Sequence, residues 1–220
     1  MVEFAAKGSI VAPVWGGAGV AEDAGLTREV DRLLARLAEG ADLRETLQEV
    51  LDVISRASGC ESAGIRWRAG EDYPYYVTRG FGRDFVVIEG PLCVRDAARL
   101  VLRHPDGTPQ LACMCGAVLQ GRTEPARPYF TSGGSFWTNG TTRLLGSGQL
   151  SGSAIQARAY CNAVGYESVA LIPLRSGGMT HGLLQLNSRA PGRFTRELLE
   201  RYEDLARRIA QAVPGRLAQE

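Results

Sequence analysis

The chain has 220 residues, 45% of them hydrophobic, with 25 Lys and Arg against 24 Asp and Glu for a net charge of +1. That length and apolar content suit one domain with flanking helices. The balanced charge, with no basic patch interleaved with aromatics, leaves no footprint for nucleic acid or for an anionic membrane.

No apolar run approaches the roughly 18 residues of a membrane-spanning helix, and the N-terminal stretch lacks the order of a signal peptide, so a cytoplasmic location is expected. Five cysteines, an odd number, then point to free thiols, metal binding or redox work rather than to a disulfide framework.

Residues 1–24 mix Gly, Ala, Val and Pro around Pro13 to Gly17 and are expected to form a loose leader. A helix follows within residues 25–40, with Leu26, Val30, Leu33, Leu34 and Leu37 on one face and Gly40 as terminator. Asp42, with Glu45 three residues on, predicts a capping box opening a second helix that runs through Leu43, Leu47, Val50, Leu51 and Ile54 to Gly59. The period then changes. Glu61 to Arg68 and Tyr73 to Arg79 read as strands of a hairpin turned at Ala69–Asp72.

A short helix is expected near Asp84 to Ile88 and a strand near Arg99 to Leu102, followed by the turn His104 to Gly107. Cys113 to Arg122 reads as a loop turning into a short helix closed by Gly121. Its two thiols would then sit at a helix N-terminus, where the dipole favours thiolate. Tyr129 to Asn139 has four aromatics, two adjacent glycines and no charge, and reads as a loop folded against the protein. A polar helix over Ala154 to Ala163 contains Cys161. Two strands, Tyr166 to Leu174 and Thr180 to Asn187, turn at Ser176–Gly178. Thr195 caps a closing helix carrying Leu198, Tyr202, Leu205 and Ile209, broken by Pro214–Gly215. The apolar stripes of the two terminal helices predict a homodimer packed through them.

Three blocks carry a resemblance: Cys113 to Arg122 (CMCGAVLQGR), Gly134 to Asn139 (GSFWTN) and Gly165 to Arg175 (GYESVALIPLR). Together with Gly182 to Asn187 and Pro191 to Thr195, they resemble the branch of the GAF superfamily found in bacterial and archaeal sensor kinases and regulators. The departure from that branch is at Gly146 to Ser153. The resemblance implies an α+β fold over residues 41–214, an antiparallel sheet flanked by helices. It implies a pocket on which Cys113, Cys115, Arg122, Phe136, Trp137, Asn139, Cys161 and Glu167 converge. It further implies a small-molecule sensor whose output lies in a kinase or regulator partner.

The cysteines leave several chemistries open. Cys113, Cys115 and Cys161 are soft ligands for a metal or iron–sulfur cluster, with a fourth donor needed from Cys93, His104, His181 or an exogenous group. The aromatic loop suits a haem, although no Cys-x-x-Cys-His is present. GAF enzymes that reduce free methionine sulfoxide are similar at Cys115–Gly116 and Tyr160–Asn162. That likeness makes Cys161 the attacking thiol and Cys115 the resolving one. The plainest alternative is that the thiols are small buried hydrophobes, as expected for Cys60 and Cys93. Arg122 reads either as an anion clamp or as a loop brace, and Glu167 either as a pocket acid or as a partner for Arg175.

Overall fold

The computed structural model describes residues 19–150 and 158–213. Helices α1 (Gly19–Ala38) and α2 (Leu43–Ser58) lead into a hairpin of β1 (Ser62–Trp67) and β2 (Tyr75–Arg79). Next come α3 (Arg83–Glu89), α4 (Cys113–Leu119), β3 (Phe136–Thr138), α5 (Thr141–Gly146) and α6 (Tyr160–Ala163). Strands β4 (Ser168–Ser176) and β5 (Met179–Ser188) and helix α7 (Arg196–Ala212) close the chain. One antiparallel sheet in the order β2-β1-β5-β4-β3 carries helices on both faces, the α+β architecture expected.

Helix α2 begins where Asp42 accepts from the Glu45 backbone N–H at 2.8 Å and ends where Gly59 takes φ +62°, a left-handed cap that favours glycine. Leu47, Val50, Leu51 and Ile54 are fully buried against the sheet, each contributing roughly 1.5–3 kcal/mol. Alternation along the strands sorts the sheet's two sides. Ala63, Ile65, Ala170, Ile172, Leu184 and Leu186 meet α1, α2 and α7 in the main core. Phe136, Val169, Leu171 and Leu183 face a second core with α3 and α4.

Several expectations change. α1 starts at Gly19, inside the stretch read as a leader, and residues 1–18 lie outside the described residues. Val30, Leu33, Leu34 and Leu37 are buried within this one chain, where α1 packs on α2 and α7. The apolar stripe therefore already has a partner and is no argument for a second copy. The strand expected near Arg99 to Leu102 is instead part of an irregular three-segment unit. There the Val94, Leu102 and Gln110 backbones bond to one another in a closed triangle at 2.8–2.9 Å. Phe136 to Thr138, read as loop, pairs with β4 as an edge strand. Of the helix expected over Ala154 to Ala163, residues 158–163 are described and only Tyr160–Ala163 is helical, Ala159 before it taking a left-handed φ of +55°. Pro214–Gly215 and residues 151–153 of the departure at Gly146 to Ser153 lie outside the described residues.

Candidate thiol-lined site

Helix α4 lies flush against the segment that feeds it. A Cβ on Gly116 would stand 2.5 Å from the Leu111 carbonyl oxygen, so the glycine of Cys-x-Cys-Gly serves close packing. Ala112 is extended, and Cys113 takes φ +65°, a left-handed conformation uncommon for a residue with a Cβ. This turn aims the Cys113 thiol back over the helix start, half-buried beside Cys115.

The hydrogen bond from the Cys115 thiol, followed by the Arg158 and Met114 backbone N–H groups, holds the Cys113 thiol down to about 6. The helix dipole is not needed to explain it, since α4 has only seven residues. Cys115 is raised well above the ordinary thiol range, first because its proton is committed to Cys113 and then by burial. Cys161, half-buried at α6, is pushed up to about 12 by burial, with Cys113 and Glu89 acting in the same direction. Of the three thiols, Cys113 is thus the one whose surroundings favour the thiolate.

Beneath them is a polar floor. Arg66 is fully buried and donates to the carbonyls of Glu89 at 2.6 Å, Gly90 at 2.9 Å and Tyr73 at 3.1 Å. Its guanidinium also covers the Tyr75 ring. Tyr75 crosses Gly64, where a Cβ would stand 2.8 Å from the ring, and its hydroxyl donates to Gln185 Oε1 at 2.8 Å. Gln185 Nε2 donates to Asn187 Oδ1 at 3.1 Å and lies 3.9 Å from Cys161 Sγ. Glu89 is 2% exposed, and burial raises its pKa against the pull of Arg158 and Arg66. On the other side of the thiols a small cavity of about 60 Å³, lined by Phe136, Leu144, Tyr160 and Leu171, is almost wholly apolar.

The expected site residues separate. Cys113, Cys115, Cys161 and Phe136 share the wall of that cavity. Trp137 follows Phe136 on a strand and so points to the opposite side of the sheet, against the main core. Asn139 is a clamp on the chain entering α7: it donates to the Phe194 carbonyl at 2.7 Å and accepts from the Phe194 N–H at 2.9 Å. Glu167 is neither a pocket acid nor an Arg175 partner. It accepts from the Thr142 N–H at 3.2 Å and from the Thr142 hydroxyl at the start of α5. Arg122 lies at the other end of α4 on a different cavity.

A metal does not fit the donors as placed. Among the described residues no group of three or more His, Cys, Asp or Glu side chains can hold an ion. The proposed fourth donors are elsewhere: Cys93 donates to the Glu71 carbonyl, and His181 stacks on Trp67 at 5.9 Å. His104 lies on the Arg122 cavity. A haem does not fit either, because the thiol-lined space is far below the roughly 300–1,000 Å³ of drug-sized sites and no imidazole reaches it.

A family model for the GAF domain matches residues 42–213. The chain belongs to the GAF family. No curated protein sequence matches it. Solved structures with the same fold include the GAF domain of an Acinetobacter phosphoenolpyruvate-protein phosphotransferase, at 12% identity and TM-score 0.56, covering 93% of this chain and 98% of that one. The corresponding Coxiella burnetii domain is 15% identical with TM-score 0.56, over 90% and 97% of the two chains. A free methionine-R-sulfoxide reductase from Neisseria meningitidis is 14% identical with TM-score 0.54, over 90% and 94%. At these identities the likeness establishes the GAF fold.

Within this GAF domain the polar floor escaped sequence reasoning. Its signals are single polar residues inside apolar strands: Arg66 in Ala63 to Trp67, and Gln185 and Asn187 two apart in a leucine-rich strand. Both place polar groups on the face opposite the main core.

Proposed function

We propose that this chain is a sensory GAF domain that takes a small polar molecule between the sheet and α4. Arg66, Glu89, Gln185 and Asn187 form its floor, and Cys113, Cys115 and Cys161 its thiol wall. One observation carries the reading. Arg66 Nε, Glu89 Oε1 and Asn187 Nδ2 are buried on the same floor with no nitrogen or oxygen partner among the described residues, Asn187 facing only the Cys161 thiol. A buried polar atom left unpaired costs about 1–3 kcal/mol, and more when charged. Three together mark a place where a bound molecule supplies what the protein does not. The group on offer, a guanidinium, a carboxyl and an amide, suits a compact ligand with both acceptors and donors.

The sequence blocks at Cys113, Gly134 and Gly165 support membership of the sensor-kinase and regulator branch, with output through a kinase or regulator partner. The test is native mass spectrometry of protein purified without oxygen, then binding of a polar metabolite mixture to wild type and to Asn187→Ala. The reading expects a ligand whose retention falls in the variant. Equal retention by both, or a crystal structure that shows only ordered water at Arg66, Glu89 and Asn187 after exposure to the mixture, would overturn it.

The low pKa of Cys113 favours a second reading, a thiol-based sulfoxide reductase, with the roles redistributed. Cys113, as the thiolate, attacks the sulfoxide sulfur; the oxygen leaves on protonation as water when Cys115 displaces the sulfide and closes a Cys113–Cys115 disulfide. An external dithiol then reduces the disulfide. Cys161, at about 12, is a poor attacking group at neutral pH. Sulfoxide-dependent dithiol consumption abolished by Cys113→Ser supports this reading, and activity that survives Cys113→Ser removes it.

A further inference from the structure

A cavity of about 660 Å³ lies beyond the far end of α4, between the β1–β2 turn and the tip of the irregular segment that precedes α4. Its volume is within the range of small-molecule sites. Arg68, Tyr73, His104, Gln120 and Arg122 are in its wall.

The charges of that wall are unequally satisfied. Glu71 is occupied by Arg103 in a two-point ion pair, at 2.8 and 3.0 Å. The Asp106 carboxylate accepts from the Thr108 N–H at 2.9 Å and hydroxyl at 2.6 Å. Among the described residues Arg122, by contrast, donates only to the Leu111 carbonyl at a long 3.5 Å, and Arg68 to the Gly70 carbonyl at 3.1 Å. Three wall side chains from two stretches, His104 on one and Gln120 and Arg122 on the other, also keep an enclosed polar atom with no partner among the described residues: Arg122 Nε, His104 Nε2 and Gln120 Oε1. A guanidinium edge is a strong donor for a planar or tetrahedral oxyanion, and an amide oxygen can only accept.

We infer that this cavity is a second ligand site, separate from the thiol-lined one, for a small oxyanion that also bears a hydroxyl. Its carboxylate or phosphate head meets Arg122 and Arg68, its hydroxyl donates to Gln120, and Tyr73 and Leu111 flank its apolar part. A hydroxycarboxylate and a protonated phosphate share this chemistry. Seven-residue α4 links the two sites, with Cys113 at its start and Arg122 just past its end.

The test is a set of amide NMR titrations of the full chain with inorganic phosphate, with malate and with chloride, at constant ionic strength. Saturable shifts confined to residues 68–73, 104–111 and 119–122 are expected with phosphate, malate or both. Which arm saturates assigns the head group. Arg122→Gln should weaken binding about tenfold or more, while Arg127→Gln, whose wild-type side chain pairs with Glu124, should not. If the Arg122→Gln spectrum shows misfolding, Arg68→Gln takes its place with the same expected loss. Saturation by neither anion, equal shifts with chloride, or undiminished binding in the folded variant overturns the proposal.

Discussion

The guanidinium carbon of Arg66 sits 3.7 Å from the centre of the Tyr75 ring, on a strand position that is fully buried. The arrangement is a cation enclosed by a π-face on one side and three carbonyls on the other. Arg66→Met removes the cation but leaves those carbonyls and Glu89 without their donor or counter-charge. The expected loss is about 3–5 kcal/mol in urea unfolding. Arg66→Lys should recover only part of it, since an ammonium cannot reach three carbonyls from one plane. A loss below about 1 kcal/mol for the Met variant would show that the floor is not held by this residue.

Cys113 should react with iodoacetamide on a pH profile unlike that of an ordinary thiol. With a value of about 6 against the usual 9.0, its thiolate population is near complete at pH 7, and the rate should level off above that. The lower basicity weakens the nucleophile, so the advantage at pH 7 is only several-fold; the plateau is the sharper signature. Peptide mapping should find Cys113 labelled and Cys115 and Cys161 untouched. A Cys113 rate that climbs steadily past pH 8 contradicts the assignment. The linked stability has a definite sign. A folded value below the unfolded one contributes fully above pH 9 and is lost as pH falls towards 6.

Gly116→Ala is expected to cost about 1–3 kcal/mol, because the added methyl group meets the Leu111 backbone rather than a movable side chain. The displaced α4 should also release the Cys113–Cys115 contact, raising the Cys113 value towards that of a free thiol. Calorimetry and the alkylation profile together check this. An unchanged profile in a destabilised variant would separate the packing of α4 from the chemistry of its first residue.

Asn139→Ala should free the chain entering α7. Both Phe194 backbone groups lose their partner at once, worth about 2 kcal/mol. Hydrogen exchange should accelerate first at Phe194 and through the first turn of α7, where Thr195 caps the Leu198 N–H at 3.2 Å. Uniform acceleration across the sheet instead would mean that the clamp is not local.

Periodicity made the scaffold legible. Asp42, Gly59 and Thr195 mark helix ends because capping chemistry depends on the residue itself and its near neighbours. Strands β1, β4 and β5 were visible through branched and aromatic runs. The site was only half legible. Cys113, Cys115 and Cys161 attract notice by residue type, but Arg66, Glu89 and Asn187 become notable only once burial is known, and burial is set by distant chain. The same limit misplaced Trp137, Asn139 and Glu167. The blocks that carried the family resemblance are largely fasteners: Asn139 holds α7, and Glu167 holds α5. Asn162 in turn donates to Thr142 at 2.7 Å and ties α6, with Cys161, to that assembly.

The three-residue β3 leaves the outer edge of β4 uncovered beyond the Phe136–Leu171 pair. Such an edge is an invitation to strand addition by another chain. Here it is guarded. Pro173, two residues past Leu171, has no N–H to offer an incoming strand, and Arg175 reaches across to the Gly133 carbonyl at 2.8 Å. On this side the sheet therefore ends in a blunted rim, and a partner that meets it here must do so by a helix, a loop or a bound molecule rather than by extending β4.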